Sequence, residues 1–171
     1  MKISLKNSVL FSLLAAAVLS RFIPHPPNMT AITALALFAG QKLESKWVAL
    51  TLPLAALFIS DLVIGFHPTM FFVYGAFLLI TFLSLYFLEM KSAFSFLGST
   101  VAASTIFFLI SNFGVWIMGS LYPKTSEGLA NCFLAALPFF QNQLVGDLLF
   151  TGALFGSFAV LFLVIPRDNK I

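Results

Sequence analysis

Apolar runs alternate with short polar connections along the chain, and six of the runs are long enough to predict helices. The predicted helices span residues 7–22, 29–40, 47–65, 70–88, 94–118 and 143–165. A helix that crosses a bilayer perpendicular to its plane needs about 20 apolar residues. The second run has only twelve residues, so we expect it either to recruit part of the preceding loop or to be shielded by neighbouring helices.

Two connections, residues 21–28 and 119–142, are longer than the others. The first contains three prolines, which fix φ and remove backbone donors, so we expect it to be stiff. In the second, Ser126 is placed to cap a short helix that runs to Ala136 and is ended by Pro138. Such a helix would lie on the bundle as a lid, through an apolar face made of Leu129, Phe133 and Leu137.

The composition places these helices in a membrane. Of the 171 residues, 60% are hydrophobic and 9% are charged, and the mean hydropathy is +1.04. Soluble domains carry about 25% charged residues, so the sequence predicts one transmembrane domain over residues 1–171. The first run resembles a signal peptide, but Arg21 and the prolines follow where a cleavage site needs small residues, so we expect the run to be retained.

Positive charges are distributed unevenly between the connections. If the N-terminus is inside the cell, the inner side holds seven of the nine Lys and Arg residues, and the outer side holds Arg21 and Lys124. Cytoplasmic loops carry an excess of Lys and Arg, so both termini are predicted to be cytoplasmic in an inner or plasma membrane. The net charge of +3 therefore reflects topology, and no nucleic-acid partner is expected.

Polar residues that an apolar chain does not require gather at the outer ends of the predicted helices. Arg21 closes the first helix, Asp61 lies about 6 Å below the outer end of the third, and Asp147 enters the sixth at a similar depth. Polar groups inside apolar segments are costly and usually functional. The pattern predicts a pocket that opens outward, with these candidate substrate-binding residues: Arg21, His25, Asn28, Asp61, His67, Asn112, Trp116, Tyr122, Cys132, Asn142 and Asp147.

Several candidates have a structural alternative. An ion pair between Arg21 and an aspartate would lock the bundle, whereas a remaining carboxylate would meet a ligand or a cation. Trp116 fits the interfacial aromatic belt as well as a stacking role. His25 and His67 have no metal-ligand spacing, so no metal is predicted. Cys132 is either a soft ligand or a small apolar helix residue.

Sequence signals for catalysis are absent. The chain has no GxSxG, no HExxH, no glycine-rich phosphate loop and no nucleotide-binding signature. We therefore predict neither an enzyme nor a bound cofactor.

Small residues recur at four-residue spacing in two of the segments. Ser12, Ala16 and Ser20 form such a row in the first segment, and Gly152 and Gly156 form a GxxxG pair in the sixth. Small residues let helix backbones approach closely within a membrane. The rows therefore predict either packing inside the bundle or docking to a partner membrane subunit.

Several motifs resemble those of an uncharacterised bacterial family of six-helix membrane proteins that is similar to the S component of energy-coupling factor transporters. The motifs are Arg21-Phe-x-Pro-x-Pro-Pro-Asn28, Ser60-Asp61, Ser111-Asn112-Phe113-Gly114-Val115-Trp116, Tyr122-Pro123, Ala136-Leu137-Pro138-Phe139-Phe140, Asn142 and Gly146-Asp147. The resemblance implies an S-component-like bundle that binds a vitamin or similar micronutrient from outside. It also implies a partner, namely a transmembrane coupling subunit driven by two ATPases.

The residue pattern and the resemblance together predict an all-α, six-span protein of the cell membrane that captures a small solute for uptake. Two other classes stay open. A membrane-embedded enzyme would use His25, Asp61 or Cys132 as part of a nucleophile–base pair. A purely structural subunit would have Arg21, Asp61 and Asp147 fully paired, with no cavity above them.

Overall fold

Six α-helices make up the computed structural model, which describes residues 5–164. They are α1 Leu5–Ser20, α2 Ile32–Lys42, α3 Lys46–Ile64, α4 Met70–Tyr86, α5 Ala93–Met118 and α6 Ser126–Val164. No strand occurs between residues 5 and 164, so the predicted all-α class is confirmed for that range. Lys2, Arg167 and Lys170, which contribute to the predicted charge asymmetry, lie outside the described residues.

Three of these helices are long and apolar enough to cross a membrane. They are α3, α5 and the part of α6 from Ser126 to Val160, and α4 is a shorter apolar helix. Large apolar side chains also cover the outer surface of the bundle, with Phe71 84% and Phe94 89% exposed. Helix length, composition and this apolar surface are those of a membrane protein.

Helix α2 lies at the centre of the bundle. Residues 32–39 are all buried, and α2 packs against each of the other five helices. Its close approach to α4 depends on Gly40, where a Cβ atom would lie 2.5 Å from the Cβ atom of Ser84. A helix surrounded by protein on every side does not need the length of a lipid-exposed span, so the second apolar run is short because its neighbours shield it.

The C-terminal ends of α2 and α4 are joined by side-chain hydrogen bonds. Gln41 Nε2 donates to the carbonyl oxygen atoms of Ser84 (2.5 Å) and Leu88 (2.7 Å), and Ser84 Oγ donates to Leu37 O (2.9 Å). The last carbonyl groups of a helix have no partner within the helix, so Gln41 satisfies carbonyl groups that would otherwise be unpaired at the end of α4.

The last helix begins much earlier than the sequence pattern predicts. Helix α6 is continuous from Ser126 to Val164 and contains Pro138, so the predicted loop over 119–142 is reduced to 119–125, and no separate lid helix exists. Proline removes one backbone hydrogen bond, yet apolar bundles tolerate it when neighbouring helices pack around the site. Here Phe133 and Phe140 both pack against Phe108 of α5, at centroid distances of 5.5 and 4.7 Å.

Thr125, and not the predicted Ser126, is the residue whose side chain caps α6. The Gly128 amide donates to Thr125 Oγ1 at 3.1 Å, which satisfies one of the unpaired amide groups of the first turn. The N-cap position is thus one residue earlier than the sequence pattern indicates.

The two rows of small residues have different surroundings. Ser20 is buried, donates to Ala17 O at 2.7 Å and accepts from the Ala31 amide at 3.1 Å, whereas Ala16 is exposed. Gly152 and Gly156 are exposed too, and a Cβ atom at either would meet no atom within 4 Å. The glycine pair therefore does not pack within the bundle, and the row on α1 is divided between an inner and an outer face.

Candidate functional site

A cavity of about 440 Å³ lies at one end of the bundle, where the ends of five helices converge on the first half of α6. Its wall is formed by all six helices: the ends of α1, α3 and α5, the starts of α2 and α4, and the first half of α6. The polar residues of the wall are Arg21, His25, Asn28, Thr30, Thr33, His67, Thr69, Ser111, Asn112 and Gln143. Its apolar residues are Ile32, Leu57, Ile64, Val73, Phe77, Phe107 and Val115.

Arg21 connects the cavity wall to a buried carboxylate. Its Nη1 atom donates to Asp61 Oδ1 at 2.6 Å and to Ser60 Oγ at 2.5 Å, and lies 3.3 Å from Leu57 O. Tyr74 donates its hydroxyl to the second oxygen of Asp61 at 2.8 Å. The Asp61 side chain is 1% exposed and the Arg21 side chain 16%, so the ion pair is a structural part of the wall, with Asp61 behind it.

Asp147 lies behind a different part of the wall and has a different set of partners. It is 1% exposed, accepts from Ser104 Oγ at 2.7 Å and from Gln143 Nε2 at 3.3 Å, and is also hydrogen-bonded by the Thr33 side chain. Gln143 additionally donates to Ser104 O at 3.0 Å. Asp147 therefore contacts two residues of the wall, Thr33 and Gln143, without being part of it.

Besides Arg21, the segment that links α1 to α2 supplies two more of the predicted wall residues, His25 and Asn28. Asn28 has a positive φ of 66°, a left-handed conformation that asparagine adopts more readily than most residues. The turn is closed by a hydrogen bond from the Met29 amide to Pro26 O at 3.1 Å. His25 Nδ1 lies 2.8 Å from the same Pro26 carbonyl oxygen, so the prolines and the turn hold both polar side chains at the mouth of the cavity.

His67 and Asn112 enter the wall from two other places. His67 Nδ1 lies 2.8 Å from Thr69 Oγ1 in the connection before α4. Asn112 donates through Nδ2 to Phe108 O at 2.8 Å, which is the carbonyl one turn earlier in α5. The amide oxygen of Asn112 takes no part in this bond, and an amide oxygen can accept up to two hydrogen bonds.

Besides Asp61 and Asp147, which lie behind the wall, four more of the predicted site residues do not line the cavity. Trp116 donates through Nε1 to Pro123 O at 3.0 Å, and Lys124 Nζ lies 5.5 Å from the Trp116 ring centroid and contacts the Trp116 carbonyl oxygen. Trp116 thus anchors the short connection between α5 and α6. Cys132 is buried, with Sγ 3.5 Å from Asn112 O. The remaining two, Tyr122 and Asn142, are half-buried and off the wall.

Five polar wall residues were not predicted: Thr30, Thr33, Thr69, Ser111 and Gln143. Thr30 and Thr33 lie near the start of the short second apolar run, where a hydroxyl carries little sequence signal because threonine is among the small residues enriched where helices pack in membranes. Ser111 and Gln143 belong to motifs that the sequence analysis noted, beside Asn112 and Asn142. The signal that identifies Gln143 is its spacing of four residues from Asp147, which places both side chains on one helix face.

The wall combines hydrogen-bonding groups with apolar surface and carries little net charge. Its groups are one guanidinium, two imidazoles, four hydroxyls and three amides, and no carboxylate from the described residues lines it. No group of three His, Cys, Asp or Glu side chains suited to a metal ion occurs among the described residues. Such a wall can orient a small polar molecule by hydrogen bonds while Phe77 and Phe107 contact its apolar part.

Comparison with known proteins identifies the family of the chain without adding a function. No curated protein and no solved structure matches the chain. One protein family does match, over residues 1–167, which is nearly the whole sequence. The chain belongs to this family, DUF6580, a family of unknown function.

Proposed function

We propose that this protein is a multi-pass protein of the cell membrane that captures a small solute from the outer side for uptake. The single observation that carries the proposal is the cavity of about 440 Å³ at the ends of the helices. Small-molecule sites have volumes of about 300–1,000 Å³ and combine apolar walls with a few convergent polar groups. The cavity has that volume and that combination, and five of its wall residues were predicted from sequence.

The chemistry of the wall favours a neutral or acceptor-bearing solute such as a vitamin-like micronutrient. Arg21 is the one residue on the described wall with a permanent charge, and its charge is balanced by Asp61. Hydroxyl and amide groups supply the remaining hydrogen bonds. A strongly cationic solute would meet no carboxylate on this wall, whereas a planar amide or carbonyl compound would find donors and aromatic contacts.

The distribution of described charges supports an outward-facing cavity. Lys42 and Lys46 lie at the opposite end of the bundle, where they contact the rings of Phe158 (5.6 Å) and Tyr86 (4.8 Å). The cavity end holds Arg21 and Lys124. Because cytoplasmic ends carry the excess of Lys and Arg, the end with the cavity is assigned to the outside.

Uptake as an S component would require a coupling subunit, and the surface of α1 offers a place for it. Ala16 borders an apolar groove of about 220 Å³ between α1, α2 and α6, whose floor includes Ala17, Ala34 and Ala153. Small residues at such a groove allow another helix to approach closely. In the alternative arrangement the protein works without a coupling subunit, and lipid fills the groove.

Native mass spectrometry of the full-length protein, released from detergent micelles, tests the proposal. We expect a bound small molecule whose mass is the same in independent preparations and which dissociates when the protein unfolds. Replacing Ile32 with Trp should fill the cavity and abolish this adduct, whereas Leu78→Trp, on the outer surface of α4, should leave it in place. A spectrum with only lipid and detergent adducts in every preparation would contradict solute binding.

One contact favours a second candidate, a membrane-embedded enzyme. His67 Nδ1 and Thr69 Oγ1 are 2.8 Å apart, and both line the cavity, so an imidazole and a hydroxyl are within hydrogen-bond reach, as nucleophilic catalysis requires. Thr69→Val distinguishes the two candidates. An enzyme would lose turnover, whereas a binding protein would keep its adduct, since nine other polar wall residues remain to hold the solute.

A further inference from the structure

The two buried carboxylates behind the cavity wall have unlike surroundings. Asp61 is paired with the Arg21 guanidinium and with the Tyr74 hydroxyl. Asp147 is buried to the same extent, yet its recorded partners are neutral: Ser104 Oγ at 2.7 Å, Gln143 Nε2 at 3.3 Å and the Thr33 side chain. A buried carboxylate with neutral donors is only partly compensated, because hydrogen bonds do not cancel its charge.

The described charged groups nearby do not supply the missing positive charge. Helix α5, which packs against this part of α6, has no titratable residue. On α2 the only titratable residue is Lys42, nine residues beyond Thr33 and in contact with Phe155 and Phe158 at the other end of the bundle. On α6 itself, the titratable residues other than Asp147 within the described range are Glu127 and Cys132.

Three titratable groups line the cavity beside which Asp147 is buried. Arg21, His25 and His67 line the same wall as Thr33 and Gln143. The Arg21 guanidinium is engaged by Asp61, and the Nδ1 atoms of the two histidines contact Pro26 and Thr69. None of these recorded contacts involves Asp147, so its carboxylate has no ionic partner among the described residues.

A second observation points to the same place. Thr151 lies one turn beyond Asp147 on α6, is completely buried, and its Oγ1 atom has no hydrogen-bond partner. Several other buried hydroxyls do have partners: those of Ser60, Thr81 and Thr100 donate to the carbonyl one turn earlier, and that of Ser104 donates to Asp147. An unpartnered buried hydroxyl is unusual, and residues four apart share a helix face, so Thr151 presents an unused oxygen beside Asp147.

We propose that Asp147 is the centre of a binding site for a monovalent cation, H⁺ or Na⁺, beneath the solute cavity. The available groups are hard oxygen donors, which suit a proton or an alkali ion, and a single carboxylate matches a single positive charge. For Na⁺ the ligands would be the Asp147 carboxylate and the hydroxyl oxygens of Thr33, Ser104 and Thr151.

Occupancy of this site is linked to the cavity, because Thr33 and Gln143 belong to both. A cation at Asp147 reorients these two side chains on the wall, so solute and cation each change the affinity for the other by the same factor. This linkage rests on the proposed function, whereas the cation site does not. A linked cation gradient would let the protein concentrate a solute without an ATPase module.

Thermal unfolding of the purified full-length chain without added solute tests the site, in NaCl, KCl or choline chloride at equal ionic strength and at several pH values. For Na⁺, the melting temperature rises in NaCl over choline chloride at neutral and alkaline pH, and the difference shrinks in acid because protons compete. For H⁺, the melting temperature rises as the pH falls and is the same in all three salts. Asp147→Asn should remove either response. A wild-type protein without either response, or an Asp147→Asn variant that keeps it, would overturn the proposal.

Two further measurements keep the test decisive if Asp147→Asn does not fold. Thr151→Val should weaken the Na⁺ response, whereas Thr81→Val, at an equally buried hydroxyl already bonded to Phe77 O, should not. In the wild-type protein, an apolar carbodiimide should modify Asp147 in its protonated form, and peptide mass spectrometry locates the adduct. If Na⁺ but not K⁺ protects Asp147 from labelling, the bound cation is sodium. If the extent of labelling depends on pH alone, the bound cation is the proton. Labelling of Asp147 that is independent of both would contradict the site.

Discussion

The Arg21–Asp61 pair shows how one residue takes part in both the structure and the site. The guanidinium lines the cavity, while its Nη1 atom is bound to Asp61, Ser60 and Leu57 on α3. Because Arg21 directly follows α1, these bonds attach the end of α1 to α3 and fix where the proline-rich segment begins. Both interpretations of Arg21 from sequence, an ion pair and a ligand contact, are therefore compatible with its position.

Replacing Asp61 with Asn should destabilise the fold more than it alters the cavity. Removing one partner of a buried ion pair costs about 3–5 kcal/mol, because the other charge stays buried without compensation. We expect a clear fall in the temperature of thermal unfolding, measured by the loss of monodisperse protein after heating. Tyr74→Phe removes only the second hydrogen bond to Asp61 and should cost about 1 kcal/mol. Equal effects of the two substitutions would contradict a structural ion pair.

Asn112→Leu should weaken solute binding at least tenfold, which corresponds to about 1.4 kcal/mol. The substitution keeps the size of the side chain but removes the amide group of a wall residue, while the loss of the bond to Phe108 O affects only the helix itself. Asn142→Leu is the matched control, since Asn142 is off the wall. Titration with the solute identified by mass spectrometry measures both affinities. A tenfold loss in the control instead would move the site away from this cavity.

At the residue scale, charge identified one residue of the cavity wall, Arg21, and two carboxylates that lie behind the wall. Arg21 and the two aspartates stood out in the sequence because a charge in an apolar segment is costly. Thr33 and Gln143, which connect the cavity to Asp147, gave a weaker signal, since burying an uncharged polar group costs less than burying a charge. Which face such a residue occupies depends on how the helices pack.

At the scale of helices, the close contact between α4 and α5 depends on one glycine. A Cβ atom at Gly114 would lie 2.5 Å from Phe72 Cγ and 2.7 Å from Phe72 Cβ, so any larger residue must push the two helices apart. Overpacking of this kind costs about 1–3 kcal/mol. Gly114→Ala should therefore lower the unfolding temperature, whereas Gly152→Ala, with no atom within 4 Å of its Cβ position, should not. The same unfolding assay compares the two variants, and an unchanged Gly114→Ala protein would contradict this packing.

The boundaries of the first five helices follow closely from the apolar runs, because each run ends at charged, glycine or proline-rich segments. The start of α6 does not follow from the apolar runs, since Pro138 and the amide side chains at 141–143 are typical of a loop. What keeps this stretch helical is tertiary: Phe133 and Phe140 pack on Phe108, and Cys132 lies beside Asn112. Rules based on local sequence do not take such contacts into account, so they predict a helix end where tertiary packing allows the helix to continue.

Across the whole molecule, the ends of the helices divide into a cavity end and a lysine-bearing end. Lys42, Lys46 and Lys91 lie at or beside the ends of α2, α3 and α4 that are remote from the cavity. Two of these lysines sit over aromatic rings, an arrangement that suits the boundary between lipid and water. If this boundary is the cytoplasmic one, the solute cavity faces outward, and Asp147 lies between the cavity and the cytoplasm.

Labelling of single introduced cysteines in intact cells tests this orientation, in a Cys132→Ala background that leaves no other cysteine. A membrane-impermeant maleimide should modify Pro27→Cys and Ser120→Cys, which lie at the cavity end near His25 and Lys124. It should miss Ser45→Cys and Ala93→Cys, near Lys42 and Lys91, until the membrane is permeabilised. All four positions are exposed and uncharged, so the substitutions leave the charge asymmetry that sets topology unchanged. The opposite labelling pattern would place the cavity on the cytoplasmic side, and capture of a solute from outside would then be wrong.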